Sequence, residues 1–221
     1  MSPRSARTTA VIIFFTALAA AAIYTFRFSL RDNLFPRNFG VVDEHVLYRA
    51  GRLTPAATDE IVRRNGIKTI IDLGAYQGIP LDERLAQRTA DALGVKRHVF
   101  TLEGDGTGHP MGYVEALRII RDPANQPVLV HCAAGAQRTS VCVMLYEHVE
   151  HGVSLDAAYE QALDHKHDPA RNPQMLPYVR RWADAIESAV KSGGTIDAPE
   201  YRAYRPLPAG APLEPPVALP R

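Results

Sequence analysis

The stretch Val128–Leu145, "VLVHCAAGAQRTSVCVML", decides how the chain is read. It opens as a short apolar, β-branched run, the pattern of a strand buried on both faces. Small residues follow it, and from Thr139 onward the apolar positions recur at helical spacing. The segment between, Cys132-Ala133-Ala134-Gly135-Ala136-Gln137-Arg138, therefore joins a buried strand to a helix. Its small side chains let successive backbone N–H groups turn inward as an anion nest, and Gly135 can take a positive φ that larger residues resist. Arg138 adds a planar fork of donors that matches phosphate oxygens. Such positive surroundings favour the thiolate, which makes Cys132 a candidate nucleophile.

Working outward, strand and helix signals alternate from about Phe35 to Lys191. "FGVVDEHVLYRAG" predicts two short strands with a turn at Asp43-Glu44. "LTPAATDEIVRRNG" predicts a helix with Thr54 as N-cap, Pro55 at its first position and Gly66 after its end. "IKTIIDL", Ile67–Leu73, reads as a buried strand, a helix spans about Leu81–Leu93, and "VKRHVFTL" returns as a strand. After the loop "EGDGTGHP" come a helix over about Met111–Arg121, the strand of the opening stretch and its helix, then helices over Leu155–Leu163 and about Met175–Lys191. This alternation predicts an α/β fold whose central, mainly parallel sheet is flanked by helices. In such sheets ligands sit beyond the carboxyl ends of the strands, where Cys132 falls.

The ends differ from the middle. Thr8–Phe26, about 19 residues without charge, lies between Arg4 and Arg7 on one side and Arg27 and Arg31 on the other. At 1.5 Å per residue it reaches roughly 28 Å, close to a bilayer core. Residues 1–30 are thus expected to be a transmembrane helix that anchors the chain by a single N-terminal span. The domain is then expected on the extracytoplasmic (periplasmic) side, or secreted if the small residues near Ala19–Ala22 permit signal cleavage. Residues 192–221 are rich in proline and alanine without apolar period, and are expected to form a disordered tail. Residues 35–191 are left as one domain.

Bulk properties narrow the function. Among 221 residues the formal charge is +1 and the apolar share is 46%. No basic surface argues for nucleic acid, and two cysteines build neither a disulfide framework nor a cysteine zinc site.

"HCAAGAQRT" fits the signature His-Cys-x-x-Gly-x-x-Arg-Ser/Thr, and on it the chain resembles the cysteine-dependent protein tyrosine phosphatase superfamily. "LYRAGRLTPAATDEIVRRNGIKTIIDL" and "TLEGDGTGHP" are similar to the compact, atypical dual-specificity branch, over about Gly40–Ala170. The resemblance implies a phosphomonoesterase working through a phosphocysteine, without metal or cofactor, in a monomeric domain. Cys132 would attack phosphorus. Arg138 and the amides of Ala133, Ala134, Gly135, Ala136 and Gln137 would hold the phosphoryl oxygens. Thr139 would hydrogen-bond the sulfur, and His131 would order the loop. An upstream aspartate supplies the leaving group's proton, and Asp105, 27 positions before Cys132, is the candidate. Glu103 is its competitor, with His109 behind, on a loop that reads as a mobile lid.

Asp72 is placed near the phosphate loop. Gly74 stands where many relatives have arginine, and Arg49 is open between pocket and surface. "DHKHDP", Asp164–Asp168 and the proline after it, reads as a solvated helix end rather than a metal site. Expected substrates are phosphotyrosine and, with it, phosphoserine or phosphothreonine on proteins, or a small phosphorylated molecule. The alternatives are an inositol phosphate (phytase-like) phosphatase and a phosphate-binding module without turnover. Alanines at the variable loop positions weigh against inositides.

Overall fold

The computed structural model describes residues 3–25 and 31–201. The elements run α1 (Pro3–Thr25), α2 (Arg31–Leu34), β1 (Gly40–Asp43), β2 (Leu47–Ala50), α3 (Pro55–Asn65), β3 (Thr69–Asp72) and α4 (Pro80–Leu93). They continue with β4 (Lys96–Val99), α5 (Met111–Arg121), a single 3₁₀ turn at Pro123–Asn125, β5 (Val128–His131), α6 (Arg138–His151), α7 (Leu155–Asp164) and α8 (Met175–Ser192). The five strands form one sheet in the order β1-β2-β5-β3-β4, antiparallel at the β1–β2 edge and parallel elsewhere. The expected α/β architecture with a mainly parallel, helix-covered sheet is the one observed.

Alternation along the strands explains the two-sided core. Leu47, Ile71, Val128 and Val130 face α5, α6 and α8, meeting Tyr113, Leu117, Met144, Val179 and Ile186. Tyr48, Ile70 and Leu129 face the other way, onto Ala57, Ile61 and Val62 of α3 and Ala90 of α4. Because both faces are covered, β5 and β3 are buried at every position and read as unbroken apolar runs. Local signals act where they stand: Thr54 Oγ1 accepts from Ala57 N at 3.2 Å to start α3, and Gly66 closes it at φ +63°.

Register sets the site. Ala50 pairs with His131 on one side of β5, and Asp72 pairs with His131 on the other. Gly51, Leu73 and Cys132, the next residue on each strand, therefore leave the sheet at one level of one rim.

Among the described residues no helix is long and apolar enough to cross a membrane. α1 covers most of the expected span, but Phe26 and residues 27–30 lie outside the described residues. The expected tail begins too early, because residues 194–201 pack on the domain. Ala198 is buried, Ile196 N meets Met111 Sδ at 3.3 Å, and Tyr201 lies edge-on to Tyr178 and Trp182. Arg118 donates to the carbonyls of Ala189 and Gly194 and fixes the chain's exit from α8. Average composition hid these few apolar anchors. Residues 202–221 lie outside the described residues.

Candidate active site

Three successive carbonyls of the loop after β5 are held from outside. Arg52 N–H donates to Ala133 O at 3.0 Å, Asn38 Nδ2 to Ala134 O at 2.8 Å, and Arg49 Nη2 to Gly135 O at 2.7 Å. In a planar trans peptide the carbonyl and the following N–H point in opposite directions. Fixing those carbonyls outward therefore turns the amides of Ala134, Gly135 and Ala136 toward the loop's inside. Gly135 N–H does point there, at 3.3 Å from Cys132 Sγ. The nest read from small side chains is thus built by its neighbours as well.

Gly135 is required twice over. Its φ is +73°, and a Cβ there would stand 2.7 Å from Gly51 N and 2.8 Å from Ala50 C and O. The cradle is pressed onto the end of β2.

Arg138 opens α6 and is buried. Its Nη1 donates to Gly74 O at 2.7 Å, while its Nε–H is buried without a protein partner. One edge of the guanidinium is anchored and a donor remains for an anion. Gly74 has φ +75°, and any Cβ would meet Arg138 Nη1 at 2.7 Å, so this position is backbone support with no room for a side chain. The turn that presents Gly74 is fixed by Asp72, whose Oδ1 accepts Ala75 N–H at 2.6 Å and whose Oδ2 pairs with buried Arg97 at 2.5 Å. Arg97 also pairs with Glu83 at 2.7 Å. Asp72 is thus near the loop, as read, and acts through the Gly74 turn.

Cys132 is 2% exposed at the end of β5. Thr139, expected to hydrogen-bond the sulfur, has its Oγ1 3.5 Å from Ala50 O at the β2 end, and Gly135 N–H donates to the sulfur. Gln137 is half-buried with its side chain turned from the cradle to His167, Oε1 lying 2.7 Å from Nδ1. His167 Nε2 in turn meets Tyr159 O–H at 2.8 Å. The histidine-rich stretch after α7 therefore braces the loop rather than standing solvated, because its histidines face inward. His165 contributes its carbonyl to Asn38 Nδ2 at 3.3 Å.

The loop that carries Asp105 comes up against α6 one residue later. Gly106, at φ +96°, presses on α6, where a Cβ would lie 3.0 Å from Val141 Cγ2 and 3.5 Å from Gln137 C. Asp105 Oδ1 accepts from Thr107 N–H and Oγ1–H at 2.9 and 2.8 Å. Glu103, the competitor, is exposed and its backbone closes the turn with Thr107 and Gly106. His109 holds the next turn, its Nδ1 3.3 Å from Met111 N. The loop is less free than glycine content suggested. Tyr113 O–H donates to Gly106 O at 2.7 Å, and Tyr178 O–H to Gly108 O at 2.9 Å. Burial pushes both phenols up, so they remain neutral donors.

Sequence reasoning missed Asn38, the His167–Gln137 contact and the burial of Arg49. Only the third left a trace, an arginine inside a predicted strand. His131 is buried beside Asp72, Nε2 to Oδ2 3.8 Å, and burial holds its ring below the ordinary histidine range. Cys142 is free and buried inside α6, its thiol pushed up to about 12 by burial. Among the described residues no three His, Cys, Asp or Glu side chains gather as a metal site.

A family model described as "DSP-PTPase phosphatase fused to NAD+ Kinase" matches residues 33–176, from α2 to the start of α8. The chain belongs to this phosphatase family. No curated protein matches it. Its fold is similar to the core catalytic domain of the PP-IP phosphatase Siw14 from S. cerevisiae, solved with citrate, at TM-score 0.56 and 21% identity over 72% of this chain and 94% of that one. It is similar to P. aeruginosa TpbA at TM-score 0.58 and 20% identity, over 70% and 91%. PTPMT1 aligns at 0.56 and 18%, over 70% and 99%.

Gly135→Ala in this phosphatase is expected to lower kcat/KM by about 100-fold, the scale for displacing reacting groups by about 1 Å; steady-state kinetics on an aryl phosphate checks it. A histidine held below its ordinary pKa takes up a proton more readily when unfolded, so stability falls as pH drops through about 6.5. Melting temperatures between pH 7.5 and 5 are expected to decline, and less steeply for His131→Asn.

Proposed function

We propose that this phosphatase hydrolyses phosphomonoesters, phosphotyrosine first and phosphoserine or phosphothreonine with it, through a phosphocysteine on Cys132. The observation that carries the reading is the loop itself: inward amides, one anchored arginine with a donor to spare, and a sulfur at its base. In the first step Sγ attacks phosphorus, the S–P bond forms and the bond to the leaving oxygen breaks. Arg138 and the amides of residues 133–138 hold the non-bridging oxygens as charge shifts. Asp105 gives its proton to the leaving oxygen. In the second, water attacks phosphorus, Asp105 takes its proton, the S–P bond breaks, and inorganic phosphate leaves. Thr139 and Ser140 secure the first turn of α6 under the arginine.

The rate test is a panel of aryl phosphate, phosphotyrosine and phosphothreonine peptides and inositol polyphosphates. Turnover is expected to be highest on phosphotyrosine and abolished in Cys132→Ser. Asp105→Asn is expected to cost about 10²–10⁴ in kcat on a poor leaving group. An unchanged rate would move the acid role to Glu103, a preference for inositol polyphosphates would give the phytase-like reading, and binding without phosphate release would make the chain a binding module.

We further infer that residues 8–26 tether the chain to a membrane with residues 35–191 on the extracytoplasmic side. The uncharged run and its flanking arginines support this, as do the exposed Ile12, Ile13, Phe14, Phe15 and Leu18 of α1. A reporter fused after Arg27 is expected to be active only on the far side of the membrane.

A further inference from the structure

Arg49 lies on β2 directly behind the phosphate loop and is 1% exposed. Its Nη2 donates to Gly135 O at 2.7 Å and to Ser140 Oγ at 2.9 Å, bridging the loop and the first turn of α6. Its Nε and Nη1 are buried with no protein partner. Among the described residues no carboxylate forms an ion pair with it. Arg97, equally buried, shows the contrast, since it is locked between Asp72 and Glu83. The carboxylate that acts on it from α6, Glu147, is hydrogen-bonded to Gln161 of α7 and forms no ion pair with Arg49; burial raises its pKa while Arg49 pulls it back down. The other groups around Arg49 do not neutralise it. Cys142 is a buried neutral thiol, and His165 Nε2 comes beside the aliphatic stem of Arg49 at Gly40, where a Cβ would stand 3.5 Å from Nε2 and 3.5 Å from Arg49 Cγ. What remains is Cys132, whose charge acts on Arg49 from the front of the loop.

We propose that Arg49 is a positioning residue that supplies a second fixed positive charge to the cradle, acting from behind through the Gly135 peptide, and that the bound phosphate dianion is what balances this charge. Its hydrogen bond fixes Gly135 O outward and so aims Ala136 N–H inward. Its cation adds to that of Arg138 from the opposite side. Burial pulls the guanidinium down to about 10, so it stays charged at neutral pH. A buried cation without an ion-pair partner costs the empty protein desolvation free energy, and a phosphate dianion, which carries more charge than one cysteine sulfur, offsets that cost further and binds with that advantage. The alanines at 133, 134 and 136 are consistent with this design, because the extra charge comes from beneath the loop rather than from its side chains.

This rests on the loop being the phosphate site, and the test separates the two. Full-length wild type, Arg49→Met and Arg49→Lys are compared by inhibition of aryl phosphate hydrolysis with inorganic phosphate, and by melting temperature with and without phosphate. Arg49→Met is expected to weaken phosphate by about tenfold or more and to lose the phosphate-dependent rise in melting temperature. Its melting temperature without phosphate is expected not to fall. Arg49→Lys, which keeps the charge, is expected to stay within about threefold of wild type. Should Arg49→Met fail to fold, Arg49→Gln carries the same comparison. Phosphate affinity within about twofold of wild type in the uncharged variant would overturn the proposal. So would a lower melting temperature of the empty uncharged variant with phosphate affinity kept, which would leave Arg49 a scaffold residue. A lysine variant as weak as the methionine one would overturn the charge role. Failure of the wild type itself to bind phosphate would instead sink the phosphate-loop reading.

Discussion

Everything at this site depends on the outward fixing of three consecutive carbonyls. A loop of alanines and one glycine has no side-chain reason to choose the nest conformation, and the entropy of such a loop opposes any single shape. The choice is made from outside by one donor each from Asn38, Arg49 and Arg52. These come from the segment before β1, from β2, and from the turn after it. The Cys132–Arg138 loop is thus shaped by the N-terminal part of the domain, although the motif itself lies far along the chain. Electrostatic preorganisation of this kind lets amide dipoles act without reorganising as the phosphoryl group moves.

The fold was legible because its signals are local. Continuous apolar runs marked β3 and β5, Thr54 with Pro55 and Gly66 marked α3, and the Cys132–Arg138 spacing marked the loop. What escaped were contacts between distant segments. Asn38 is an ordinary turn residue in sequence, and only the fold carries its amide to Ala134. His167 belongs to a stretch that reads as a solvated helix end, yet its inward face meets Gln137. The contact of Thr139 with Ala50 O joins the start of α6 to the distant end of β2, which no spacing shows. The lid looked free because glycine content reports backbone permissiveness, whereas its real constraint is two tyrosine hydroxyls, from Tyr113 and Tyr178, on elements that fold against it. The same limit applied at the C-terminal end, where Ile196, Ala198 and Tyr201 dock within a segment of disorder-like composition.

The two strands beside β5 support the reaction centre in different ways. On the β3 side, the buried cation Arg97 is held by two carboxylates, Asp72 and Glu83. The task of this group is geometric: it holds the turn that offers Gly74 O to Arg138. On the β2 side, Arg49 stands without a matching carboxylate. A buried cation paired on both sides is fixed in position, and its partners cancel its field. An unmatched buried cation keeps its field, at a cost to the empty protein. Arg138 has the first kind of neighbour, through the turn that offers Gly74 O to its Nη1. The amides need the second, because their dipoles are weak individually and gain from a charge behind them. A site that stores instability in its empty state and relieves it on binding an anion sits within the general pattern of strain and unpaired polar groups at functional centres. Here the unpaired atoms are specific: Nε of Arg138 at the cradle, and Nε and Nη1 of Arg49 behind it. They mark the same loop from its two sides, and the proposed dianion is the ligand that would meet both.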